Sequence, residues 1–256
     1  MATYKKRGHK PQTKEDKQTA IEEQSTTAGV FNTLDETASK TEEFVQKNQK
    51  YIFIIIGLVA VVVLGSLAYK ELVAKPKQVT AMNDMFQAQK YFNEAINGAD
   101  NDSLYNLALT GGEGKFGMLD IIDQYGGTDA GNLANYYAGT AYLKMKDYQN
   151  AVTYLSNFES DDEILAPLAK GNIGDAFIQL NQPEDALSYY EEASNMRDNE
   201  YTTPMYLFKA GTTAMELGQA KKALKYFKRI KEEYPKSTEA GSIEVFIGKA
   251  QVLANK

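Results

Sequence analysis

The stretch "GDAFIQLNQPEDALSYY", Gly174–Tyr190, has one near copy on each side, "GTAYLKMKDYQNAVTYL" at Gly139–Leu155 and "GTTAMELGQAKKALKYF" at Gly211–Phe227. The leading glycines stand 35 and 37 residues apart, and so do Ala151, Ala186 and Ala223 within the segments. Each alanine is followed four residues on by a bulky side chain: Leu155, Tyr190 or Phe227. This spacing predicts two antiparallel helices per unit. Small residues at the closest approach let the backbones meet, and the bulky residue one turn later fills the space beside them. On this register Ala186 is a buried contact, whereas Lys222 faces water.

Three such units in register resemble tetratricopeptide repeats, whose period is 34 residues. Pro235 lies twelve residues after Ala223, where that pattern puts its terminating proline. Other pieces extend the array. "AQKYFNEAI" (Ala88–Ile96) reads as the second helix of an earlier unit, with its first helix upstream and broken by Pro76. "TDAGNLANY" from Thr128 recurs as "TEAGSIEVF" from Thr238, and both threonines are candidate N-caps. The second copy opens a final helix, Glu239 to Ala254, that caps the solenoid. No segment alternates with period two, so the expected fold is all-α: one N-terminal transmembrane helix, then a repeat solenoid with a C-terminal capping helix.

The transmembrane expectation rests on "YIFIIIGLVAVVVLGSLAY", Tyr51–Tyr69, an uncharged run with twelve Leu, Ile, Val or Phe. As a helix it spans roughly 28 Å, close to the ~30 Å hydrocarbon core. Tyrosines mark both ends, where aromatic belts form. A cleaved export signal is the competing reading, with "SLA" at Ser66–Ala68 as its small-x-small site. Such a signal has a short basic start and an apolar core of about 7–15 residues, whereas fifty residues precede this longer run. An uncleaved anchor is therefore the expectation, with residues 1–50 as a tail, 51–69 as the span and 70–256 as the repeat domain. Gly57, Ala60, Leu64 and Ala68 form a stripe along the span that offers a close docking face for another membrane helix, or else faces lipid.

Charge does not orient the span. Residues 1–50 carry net +1 and the chain from Lys70 carries net −7, but lysines near the two ends of the span are similar in number. "YKKRGHK" at the N-terminus leans towards the cytoplasm, where anionic lipid is available, or belongs to a solvated tail. Residues 1–24 are polar and read as disordered. Residues 25–49 place Phe31, Leu34, Ala38 and Val45 at near-helical spacing, which fits a surface-lying amphipathic helix or an extension of the anchor.

Composition excludes several chemistries. There is no cysteine, and the one histidine, His9, lies in the tail. Disulfides, thiolate nucleophiles, cysteine zinc sites and a histidine-dependent triad in the folded part are therefore ruled out. "GGEGKFG" at Gly111–Gly117 has neither P-loop nor dinucleotide spacing and reads as a loop. Carboxylate-only catalysis or metal binding stays open, but no Asp/Glu group shows a metal-loop spacing, so the expectation is a binding protein, not an enzyme, with no cofactor, no metal and no specific nucleic acid.

A tail, a signal-anchor helix and a compact repeat domain of this size resemble, across almost the whole chain, the YfgM-like ancillary subunits of the Sec translocon. The tail is longer here than is usual in that family. The resemblance implies residence in the bacterial inner membrane, a cytoplasmic N-terminus and a periplasmic repeat domain. It also implies SecYEG and the anchored chaperone PpiD as partners, with emerging exported chains as possible clients. A scaffold of another secretion or outer-membrane assembly machine is the alternative. By likeness to peptide-holding repeats, a groove would be lined by Tyr136, Thr140, Lys144, Asp175, Gln179, Phe208, Thr212 and Glu216. Tyr136 and Phe208 read equally well as core between repeats.

Overall fold

The computed structural model describes residues 26–98 and 102–255, with side chains from residue 38. The disordered-tail expectation for residues 1–24, "YKKRGHK" and His9 lie outside the described residues. Contacts divide the chain into two units, Met1–Lys70 and Glu71–Lys256.

The first unit holds α1, Thr26–Tyr69, of 44 residues. Residues 26–49 of the stretch expected to be amphipathic fall inside it. The side chains of Phe31 and Leu34 lie outside the described residues, while Phe44 and Val45 are exposed. From Phe53 to Leu67 the large apolar side chains keep half or more of their surface exposed. A helix that is apolar all round and buried by nothing belongs in a membrane or a partner. One helical run among the described residues, Ala38–Asn97, is long and apolar enough to cross a membrane.

A π-helical turn, Lys70–Ala74, begins at the last residue of the first unit, and the second unit continues into α2, Lys75–Asn97. Pro76 sits in the first turn of α2. It has no N–H for the Leu72 carbonyl and its ring crowds that group, so the turn widens before it. "AQKYFNEAI" is therefore not a separate second helix, because it is the C-terminal part of α2. The buried residues of α2, Ala81, Met85, Ala88, Tyr91, Phe92 and Ala95, form a core with α3 (Asp102–Thr110), α4 (Met118–Tyr125) and α5 (Asp129–Lys144). "GGEGKFG" is a loop closed by one isolated bridge, Gly112 to Lys115, and the described residues contain no strand.

The repeats follow as helix pairs: α5 with α6 (Tyr148–Ser156), α7 (Leu165–Gln179) with α8 (Pro183–Met196), and α9 (Thr202–Glu216) with α10 (Ala220–Glu233). All three first helices end the same way. Lys146, Asn181 and Gly218 have positive φ (66°, 59° and 72°), and the next residue's N–H bonds five residues back, Asp147 to Tyr142, Gln182 to Phe177 and Gln219 to Ala214. This is the Schellman turn, which satisfies the last carbonyls and reverses the chain into the second helix.

The small-against-bulky pairing holds in all three. A Cβ added to Gly139 would sit 2.6 Å from Leu155 Cγ, and one on Gly174 would sit 2.6 Å from Tyr190 Cε1. One on Gly211 would run into the Phe227 ring. Ala151, Ala186 and Ala223 are fully buried. Lys222 is not a free surface lysine, since its Nζ lies 2.5 Å from Glu191 Oε1 across the neighbouring repeat.

The array closes differently from the sequence expectation. Thr128 caps α5 by accepting from the Gly131 N–H at 3.1 Å. Thr238 has helical dihedrals and caps nothing, and Ser237 accepts from the Ala240 N–H instead. Glu239–Ser242 is a 3₁₀ turn, and the α-helix, α11, runs Ile243–Ala254. It buries Ile243, Ile247 and Ala250 against the preceding repeat. Gly248 stands 37 residues after Gly211, yet nothing lies within 4 Å of its Cβ position. Exposed Glu244 and Gln251 occupy the places of buried Leu207 and Ala214, so polar residues stand where the repeats bury apolar ones, although Val245 and Val252 beside them are exposed as well.

Candidate interaction surface

The candidate groove residues fall in three tiers along α5, α7 and α9. Lys144, Gln179 and Glu216 are the last residues of their helices and are exposed. Thr140, Asp175 and Thr212 lie one turn earlier and are half-buried. Tyr136 and Phe208, another turn back, are also half-buried. Tyr136 packs on Phe158 at 5.3 Å between ring centres, and Phe208 on Phe246 at 4.7 Å. Both aromatics thus touch the packing between repeats while keeping an open edge.

Gly171 occupies the third aromatic position, and sequence reasoning passed over it. The Tyr206 ring fills the space where its Cβ would be. The Tyr206 and Tyr190 rings stack at 6.2 Å, and Lys209 Nζ lies 5.6 Å from both ring centres. Lys209 donates to both oxygens of Asp175, at 2.6 and 2.8 Å, and the Tyr190 hydroxyl donates to Asp175 Oδ1 at 2.6 Å. Asp175, the one candidate with a carboxylate in the middle tier, is therefore engaged between two repeats. Gln179 is held more loosely, accepting from Tyr148 at 3.3 Å. Thr140 Oγ1 is buried with no hydrogen-bond partner. The dominant influence on Tyr136 is burial, which pushes its pKa up.

Asp175–Lys209 is one rung of a ladder whose partners stand about one repeat apart in sequence. Arg197 pairs with Asp161 at 2.6 Å, Tyr226 donates to Glu191, Arg229 donates to Asn195 at 3.1 Å, and Tyr234 donates to Asp198. Partly exposed pairs of this kind add ~0–1 kcal/mol each, so their effect is mainly to fix the register between repeats. A cavity of about 630 Å³ lies over α8 and α10, lined by Glu191, Lys221, Lys225, Tyr226 and Lys228 among others. None of the eight groove candidates lines it.

The buried phenols make the fold sensitive to alkali. Burial, then the Asp175 carboxylate, pushes Tyr190 up, and burial leads for Tyr206 and Tyr226 as well. Tyr234 is pushed up to about 12, first by burial and then by its hydrogen bond to Asp198, with Arg229 opposing. A folded pKa above the unfolded value of about 10 means that stability is whole below pH 10 and falls as pH rises through 12. Urea unfolding should therefore give a flat stability from pH 7 to 9 and a decline from 10 to 12. Tyr234→Phe, which cannot ionise, should make that decline shallower. A decline already present at pH 8 would contradict this assignment.

In the apolar run, Gly57, Ala60, Leu64 and Ala68 lie on α1, all exposed, with open space at the Gly57 Cβ position. Among the described residues no group of three or more acidic or histidine side chains could hold a metal ion. The arrangement presents apolar, aromatic and hydrogen-bonding surface, which is the chemistry of binding.

Comparison with known families agrees with this geometry. Residues 136–196 and 206–237 match tetratricopeptide repeat families. The chain thus carries tetratricopeptide repeats, a scaffold for protein–protein interaction, in addition to its candidate span. No curated protein matches it.

Proposed function

We propose that this protein is a membrane-anchored, non-catalytic interaction subunit that serves the Sec translocon from the periplasmic side. The observation that carries the anchored reading is the unburied apolar surface of α1, followed in the chain by a repeat array. Anchoring confines the repeats near the bilayer and raises their effective concentration beside other membrane proteins. The Sec assignment rests on the layout shared with YfgM-like subunits. In this reading residues 1–50 are cytoplasmic, 51–69 span the inner membrane and 70–256 are periplasmic. Gly57, Ala60, Leu64 and Ala68 dock against the channel. The open edges of Tyr136 and Phe208, with Thr140, Lys144, Asp175, Gln179, Thr212 and Glu216, hold a PpiD-like chaperone or an emerging chain.

Purification of the full-length protein from native membranes in gentle detergent should co-elute SecYEG. Recovery of a different envelope machine in its place would assign the protein to that machine. On spheroplasts, added protease should digest the repeats and spare an epitope in the tail. The opposite protection would overturn the periplasmic placement.

A further inference from the structure

The helix α2 carries two apolar faces, and its own domain consumes only one. Ala81, Met85, Ala88, Phe92 and Ala95 are buried in the core. Beside that face a second row is left bare: Val79 is 61% exposed, Met82 46%, Phe86 66% and Ile96 54%. Leu72, in the π-helical turn before α2, is 76% exposed. Large apolar residues exposed in a row mark an interaction surface.

The spacing of the row says what covers it. Along α2, Val79, Phe86 and Asn93 recur every seven residues, and Met82, Gln89 and Ile96 recur every seven residues three positions later. That is the a and d pattern of a two-stranded coiled coil. Asn93, exposed in an a position, is the polar residue that sets parallel register in such pairs. A cavity of about 500 Å³ opens along the same face, lined by Phe86, Gln89, Lys90 and Asn93 among others. Gln89 weakens the seam, which suits chains already concentrated in one membrane.

We propose that this face pairs with the same face of a second copy, giving a parallel, in-register homodimer through α2. The parallel arrangement rests on the membrane-anchor reading, because the span ends ten residues before Val79 and brings both copies in from the same side. Identical chains aligned in this way meet with Val79 against Val79 and Phe86 against Phe86. Asn93 then meets Asn93, where the two amides hydrogen-bond.

The chain has no cysteine, so single cysteines report on one position at a time. Full-length variants Val79→Cys and Phe86→Cys, oxidised in native membranes, should give a disulfide-linked species at twice 28.4 kDa. Lys77→Cys and Thr80→Cys are exposed on the same helix but off the seam, and should give several-fold less. Equal yields at all four positions, or no crosslink at Val79 and Phe86, would overturn the proposal. So would a dominant adduct with a different protein. Fractionating the same samples separates the two readings. Membrane-bound protein without the dimer refutes the seam alone, while dimer recovered in the soluble fraction supports the seam and refutes the anchor.

Discussion

Ala186→Asp is expected to cost the repeat domain about 3 kcal/mol or more. Ala186 is fully buried on α8, one turn before Tyr190, which closes on Gly174. A carboxylate there has neither room nor partner. Forcing it in combines overpacking, worth about 1–3 kcal/mol, with the desolvation of a polar group. For a domain of this size each kcal/mol moves the melting temperature by roughly 2–4 °C, so the shift should reach about 6–12 °C. The matched control is Lys225→Gln, an exposed site, expected to change stability by less than about 0.5 kcal/mol. Lys222 would be a poor control, because its ion pair with Glu191 makes Lys222→Asp set two carboxylates together. Equal melting shifts for Ala186→Asp and Lys225→Gln would mean that the helix faces are wrongly assigned.

Those faces were legible because a repeat states its own geometry several times over. One glycine could serve a turn or a close contact, but Gly139, Gly174 and Gly211, each twelve residues before an alanine, leave only the contact. The Schellman turns were less legible. Asn181 and Gly218 tolerate positive φ, but Lys146 gives no such hint and adopts φ 66° because the turn demands it. Thr238 failed as a cap because the copied motif lies in a different setting. The chain there enters a 3₁₀ turn, which moves the capping oxygen to Ser237. α2 misled for a related reason. Its alanine and aromatic spacing does match a repeat helix, but it packs with α3, α4 and α5 in a core where only α5 belongs to one of the three helix pairs.

The candidate groove was legible only as a row of positions. That Lys144, Gln179 and Glu216 end their helices follows from counting. Nothing in the sequence tells that Tyr206 crosses onto Gly171, or that Lys209 reaches Asp175, because those contacts depend on how one repeat rotates against the next. The rotation is visible only in three dimensions. The pairing of Asp175 with Lys209 at a separation of 34 residues is the one signal that could have been sought, as opposite charges one repeat apart.

The close approach of Gly211 to Phe227 gives a change of sign as its test. Phe227 is fully buried, so Phe227→Ala should cost about 3–5 kcal/mol. Gly211→Ala in the parent chain adds a methyl where the ring already sits. The strain, about 1–3 kcal/mol, should outweigh the roughly 1 kcal/mol that alanine gains over glycine inside a helix. In the Phe227→Ala background the ring is gone and only the helix gain remains, so the same substitution should become neutral or stabilising. The coupling between the two sites should therefore be on the order of 2 kcal/mol, well beyond the additivity of independent positions. Urea unfolding of the four proteins in the cycle measures it directly. Additive effects would show that the ring does not occupy the glycine notch, and the reason for small residues recurring at 35 and 37 residues would have to be sought elsewhere. A reversal of sign would show that glycine is kept at Gly211 by the ring it receives.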